Sequence, residues 1–94
     1  MAEARRVRVV VAGGVQGVGF RWSTARQAER LGVSGWVRNA GSTTVEAELE
    51  GAPDAVQAVV DWMRHGPVGA RVDALTVEDT TAQGTSDFEV SASR

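Results

Sequence analysis

The sequence predicts an α+β sandwich in which two helices cover one face of an antiparallel sheet. Three observations predict it. Strand-like and helix-like patterns follow one another in the order βαββαβ, with one more short strand at the end. The run TVEAELE at 44–50 alternates so strictly that one sheet face must be packed and the other wet. And 94 residues are enough for two layers around a core but not for a second domain, so one domain over 1–94 is expected.

The first strand is VRVVVA, Val7 to Ala12, β-branched and short, ending at Gly13 and Gly14. A helix is expected from Phe20 to Leu31, with Thr24, Ala28 and Leu31 on one stripe beside Ala25 and Gly32 as its C-terminal cap. GWVRN, Gly35 to Asn39, is the second strand and Thr44 to Glu50 the third, joined by a hairpin turn AGST in which Gly41 can take a positive φ. In the third strand Val45, Ala47 and Leu49 share the packed face, and Glu46, Glu48 and Glu50 are read as its solvated face. Pro53 suits the first turn of a second helix, in which Val56, Val59, Val60 and Met63 keep helical spacing before Gly66 and Pro67 stop it. Val72 to Glu78 is the fourth strand. Leu75 and Val77 share a face in it while Val72 is out of phase, the mark of a bulge or a later start. Beyond the polar loop 79–86, DFEVSA at 87–92 makes a short edge strand. This order fits the split βαβ, ferredoxin-like sandwich.

Composition removes several function classes. A net charge of −2 and a pI near 5.3 give no basic field for nucleic acid or an anionic membrane. RNA binding on the sheet is further disfavoured because paired exposed aromatics are missing. With no cysteine there is neither disulfide nor thiolate chemistry, and no Cys/His cluster for a structural zinc, so no metal is expected. No stretch has signal-peptide or membrane-spanning character, so a cytoplasmic location and a small-molecule partner are expected.

GGVQGVGFR, residues 13–21, places four glycines in nine positions between a strand and a helix. Glycine costs conformational entropy on folding, so their clustering asks for a reason. The leading N–H groups of a helix lack intrahelical partners and carry the positive end of its dipole; glycines let further amides turn towards a ligand. Arg21 adds a planar fork of donors suited to phosphate oxygens. The loop is suited to holding an oxyanion; as a bare pattern it fits equally a tight corner between strand and helix. It lacks the Gly-Lys-Ser/Thr of a Walker A loop, and Trp22 stands where a dinucleotide fingerprint needs glycine or alanine. In a β–α–β unit the two strands run parallel, so the loop and Asn39 emerge at one edge of the sheet.

GGVQGVGFRW at 13–22, LGVSGWVRN at 31–39, VEAELEG at 45–51 and WMRHGPVGARV at 62–72 closely resemble the acylphosphatase family, of the small, common type. The resemblance covers nearly the whole chain. It implies the ferredoxin-like fold and the hydrolysis of carboxyl phosphates, such as acetyl or carbamoyl phosphate, to a carboxylate and inorganic phosphate, with no metal, no cofactor and no covalent intermediate. Carried over by position, it makes Arg21 the phosphoryl-binding arginine and Asn39 the residue that orients the attacking water. The phosphate-cradling amides fall on Val15, Gln16, Gly17, Val18, Gly19 and Phe20. Gly14 replaces a larger, often basic residue and Ser42-Thr43 replaces the usual Asp-Gly, departures that touch neither catalytic position. A monomer is expected.

The chemistry agrees with the residues. Neither the loop nor the surroundings of Asn39 offer a general acid, a metal ligand or a nucleophile. An acyl phosphate needs none, because its carboxylate leaving group has a pKa of about 4 and departs unprotonated. For a loose phosphoryl-transfer transition state, what is left is placing the water in line and stabilising charge on the phosphoryl oxygens. A non-catalytic phosphate-binding or regulatory module on the same fold is the alternative, and Asn39 separates the two. His65 is read as structural or solvated at the end of the second helix, where a cation suits the dipole. Trp22, Trp36 and Trp62 are too scattered for a stacking platform; Trp22, beside Arg21, is a candidate for shaping the acyl side. Gln16 is read either as a substrate contact or as a brace for the loop.

Overall fold

The computed structural model describes residues 3–94. Its elements are β1 (Arg5–Gly14), α1 (Phe20–Leu31), β2 (Ser34–Ala40), β3 (Thr44–Gly51), α2 (Pro53–Met63), β4 (Arg71–Thr80) and β5 (Phe88–Val90). One sheet holds all five strands in the order β4-β1-β3-β2-β5. The β1–β3, β1–β4 and β2–β3 pairs are antiparallel, as expected, so β1 and β2 run parallel and end at the same edge. β5 departs from the expected antiparallel sheet: it lies parallel to β2, with Gly35, Trp36 and Val37 opposite Phe88, Glu89 and Val90, and the sheet is mixed. Segment 81–87 crosses from one outer strand to the other, and that crossing lets β5 run in the direction of β2.

The packed face is made almost wholly of valine. Val7, Val9, Val11, Val37, Val45, Ala47 and Leu49 from the strands meet Phe20, Ala28, Val56, Val59, Val60 and Met63 from the helices, all buried. α1 closes at Gly32, whose left-handed conformation turns the chain so that the Val33 N–H reaches the Ala28 carbonyl at 2.8 Å. Pro53 opens α2, and the Gly66 N–H bonds the Trp62 carbonyl at 2.9 Å beyond its end. The out-of-phase Val72 has its cause in a register shift: Ala12 pairs with Ala74 but Gly13 with Val72, so Asp73 is passed over.

Two further expectations need correction. β1 does not stop before the glycines, since Gly13 and Gly14 continue the strand opposite Val72 and Arg71. Nor are the glutamates of β3 a freely solvated face. Glu48 bonds Arg6 and Arg8, Glu46 bonds Arg8 and Arg38, and Glu50 is only 4 % exposed. Glu50 accepts the Gln83 N–H at 2.7 Å, the Gly84 N–H at 2.8 Å and Arg6 Nη1 at 3.0 Å, while Ser34 Oγ bonds Thr85. Segment 81–87 is thus strapped over the far end of β3. Where a solvated row was expected, arginines of β1 and β2 pair the row and the strap covers its last member.

Candidate active site

Four chain segments meet at the edge where β1 and β2 end. The loop 15–19 leaves β1 and enters α1; the hairpin turn 41–43 leaves β2; the turn 64–70 leaves α2; and β4 begins at Arg71. Within the loop, Gly17 and Gly19 have φ of 75° and 77°, a region that side-chain-bearing residues enter at a cost of roughly 1–2 kcal/mol each. A Cβ at either would meet nothing within 4 Å, so these glycines serve backbone conformation and not close packing.

α1 begins without a side-chain cap, Gly19 preceding it, and no acidic residue stands in its first turn. Its leading amides and the positive end of its dipole are therefore open at the loop. Arg21 sits half-buried in this turn and, among the described residues, makes no ion pair or side-chain hydrogen bond. Phe20 and Val15 anchor the loop at both ends, exposed by 2 % and 1 %. Phe20 packs on Trp62 with ring centroids 5.7 Å apart, and its ring lies against Gly66. Val18, between the two loop glycines, is half-buried beside Gly69.

Asn39 alternates in step with Val37 and pairs with Val45, which puts it on the helix-covered side of the sheet, half-buried. Its carbonyl accepts the Arg94 N–H at 2.8 Å, and the Arg94 carbonyl accepts the Gly41 N–H at 3.0 Å, so the final residues fix the end of β2. No hydrogen bond engages its carboxamide among the described residues, yet no buried side-chain polar atom lacks a partner; the amide is therefore open to solvent. Gln16 ties the two stretches together. Its Nε2 donates to the carbonyls of Thr44 at 2.9 Å and Gly41 at 3.1 Å, so its side chain braces the loop against the hairpin. The Gly13 N–H reaches the Thr43 carbonyl at 3.0 Å, so the Ser42-Thr43 turn is joined to the end of β1.

The other residues singled out fall at the margin of this edge or on the far face of the sheet. His65 is exposed and lies just beyond α2, not in its last turn. Trp36 is on the opposite face, with the guanidinium carbons of Arg38 and Arg8 4.6 and 5.8 Å from its ring. Trp22 is 63 % exposed one residue beyond Arg21. Sequence reasoning missed Arg71: its guanidinium lies over Gly14, with Nη1 3.3 Å from where a Cβ there would stand. Strand register alone reveals that neighbour, and the register shift at Asp73 hides it.

No helix among the described residues is long and apolar enough to cross a membrane. A family model described as Acylphosphatase matches residues 7–90. The chain is 53 % identical to an acylphosphatase of Rubrobacter xylanophilus over 94 % of its own length and 81 % of that protein's. It is 47 % identical to one of Thermococcus kodakarensis over 90 % and 93 %. Among solved structures, an acylphosphatase from Coxiella burnetii superposes with a TM-score of 0.90 at 35 % identity, covering 94 % of this chain and 93 % of that one. The matched residues 7–90 include the loop, the hairpin and both helices, and the chain belongs to the acylphosphatase family.

Proposed function

We propose that this chain hydrolyses small carboxyl phosphates to a carboxylate and inorganic phosphate, in one domain that works as a cytoplasmic monomer without a cofactor. The amides of Val15 to Phe20 and the Arg21 guanidinium hold the phosphoryl group, and Asn39 orients the attacking water. One observation carries the reading: an uncapped helix start with an unpaired arginine is tied, through Gln16, to the hairpin that bears a solvent-open asparagine. Anion binding falls to the first part and water placement to the second. The energetic demand matches what these groups supply, since oriented donors and an in-line nucleophile are the main contributions to phosphoryl transfer.

The test is hydrolysis of a synthetic aryl acyl phosphate, followed spectrophotometrically with a chelator present. Arg21→Ala is expected to lose at least about 10²–10³ in rate and to bind inorganic phosphate more weakly. Arg21→Lys fails as well, because an ammonium cannot reproduce a bidentate contact. In Asn39→Ala turnover collapses while inorganic phosphate still inhibits. Near-normal turnover in Asn39→Ala refutes the water-positioning role; phosphate binding by the wild type without turnover would instead make the fold an anion-binding module.

A further inference from the structure

We infer that the open face of the sheet carries a second ligand site, between Trp36 and segment 83–87, that takes a flat organic cation bearing a carbonyl group. A cavity of about 340 Å³ lies there, and its walls include Arg6, Trp36, Thr85, Asp87 and Glu89. That volume falls at the small end of the range of small-molecule sites. The cavity is separate from the hydrolytic site proposed above. Trp36 and Asn39 are on opposite faces of β2, and Gly35, at the cavity, is about 13 Å from Asn39 along the strand.

Arg6 supplies the observation that points to a ligand. The residue is only 2 % exposed. Its Nε donates to Glu48 at 2.7 Å, and its Nη1 to Glu50 at 3.0 Å and to Thr85 Oγ1 at 3.4 Å. Nη2 has no hydrogen-bond partner among the described residues, yet no buried side-chain polar atom there lacks one. Nη2 is therefore the atom of the guanidinium that stays accessible, and it is held beside Thr85 at the cavity. A guanidinium fixed by two carboxylates presents a rigid N–H to whatever enters, and that N–H asks for an acceptor. Glu48 and Glu50 already balance the charge of Arg6. The acceptor it takes is therefore a neutral carbonyl oxygen and not a further carboxylate.

The rim decides the sign of the ligand. Glu89 pairs with Trp36 across the β5–β2 register, and Asp87 stands two positions before it on the same wall. Both are exposed, and neither side chain makes an ion pair or a hydrogen bond among the described residues. With Arg6 balanced, these two carboxylates leave the cavity negative. Trp36 adds a flat wall. Its ring is half-buried, and the guanidinium carbon of Arg38 lies 4.6 Å from its centroid, so the indole already serves as a surface for a planar cation. A flat cation resting on Trp36 turns its charge to Asp87 and Glu89 and its carbonyl to Arg6 Nη2.

The probe is 1-methylnicotinamide, a methylated pyridinium with a carboxamide, titrated into the full chain and followed by the backbone amide NMR signals. Shifts are expected at Gly35, Gly84 and Thr85, saturating with a Kd of about 1–10 mM, as suits a ligand of this size. The amides of Val15 to Phe20 stay unmoved. Nicotinamide, which keeps the carboxamide and lacks the charge, should bind about fivefold more weakly, and added salt should weaken only the charged probe. Combining Asp87→Asn with Glu89→Gln removes that difference between the probes, and Trp36→Leu weakens both. Arg6 variants break buried ion pairs and endanger the fold, so its contact is tested on the ligand: 1-methylpyridinium, without the carboxamide, should bind about tenfold more weakly than 1-methylnicotinamide. No saturable shift at the cavity amides, equal binding of all three probes, or an affinity unchanged in Trp36→Leu overturns the site. None of these measurements involves turnover, so the outcome is independent of the hydrolysis proposed above.

Discussion

Removing Glu50 tests whether the strap over the far edge of the sheet holds the fold together. The carboxylate is 4 % exposed and accepts from Gln83 N–H, Gly84 N–H and Arg6 Nη1 at 2.7 to 3.0 Å. Breaking a buried pair by deleting one partner costs about 3–5 kcal/mol. Here the lower end applies, because Arg6 keeps Glu48 at 2.7 Å and the two strap amides can turn to water. Glu50→Ala is therefore expected to cost about 3 kcal/mol, which for a domain of this size lowers Tm by about 12–24 °C. The Gln83 N–H holds the Glu50 carboxyl below its ordinary value against the opposing pull of burial, with Arg6 and the Gly84 N–H adding to it. A carboxyl whose pKa is lower folded than unfolded stabilises fully above the unfolded value of about 4.3, and that contribution drains away as pH falls through the folded value. Glu50→Gln keeps the size and removes the charge. Thermal unfolding of wild type and Glu50→Gln from pH 7 to pH 3 should therefore show a gap in Tm that is constant down to about pH 5 and narrows as pH falls past the unfolded value of about 4.3 and on through the folded one. A gap independent of pH, or a Glu50→Ala protein melting within about 4 °C of the wild type, refutes the clamp.

Gly66→Ala puts a Cβ against the Phe20 ring at a φ of 70°, so a loss of about 2–4 kcal/mol is expected in denaturant unfolding. Because Phe20 precedes Arg21, phosphate inhibition should weaken in the same variant. Gln16→Ala removes the brace between loop and hairpin: stability falls by about 1 kcal/mol, and turnover by about tenfold through lost alignment, read as a fall in kcat larger than any rise in KM. Leu49→Ala, at a site with no solvent exposure, should cost about 2–5 kcal/mol by calorimetry and leave the KM of the surviving folded protein unchanged.

Local pattern carried most of the fold. The alternation of Val45, Ala47 and Leu49, the helical spacing of Val56, Val59, Val60 and Met63, and the stop at Gly66 are each decided within one element, and each matches the structure. The shared edge of the loop and Asn39 also follows from sequence, because a β–α–β unit leaves its strands parallel. What sequence reading missed depends on pairing between distant residues. Glu50 resembles Glu46 and Glu48 in every local respect, yet it is buried because residues 33 and 34 positions further on, Gln83 and Gly84, bring their amides to it. Alternation assigns a residue to a face of the sheet. It cannot say which part of that face a later segment will cover.

The same distinction explains the direction of β5. An edge strand added to an antiparallel sheet by a tight turn from β4 would sit beside β4 and run against it. Instead the strap crosses the sheet, held midway by Glu50 and Ser34, and delivers Phe88 beside Gly35. Running with β2, the chain then continues to the site edge, where Ser91 donates to the Val37 carbonyl and Arg94 to the Asn39 carbonyl at 2.8 Å each. The backbone of the water-orienting candidate is thus fixed from its outer side by a segment whose own placement depends on a carboxylate at the other end of the sheet. Stability and site geometry meet in that segment. Loss of the Glu50 clamp should therefore free residues 88–94 before it opens the valine core, and hydrogen exchange in Glu50→Gln should show the Ser91 and Arg94 amides losing protection while those of Val9 and Ala47 keep theirs.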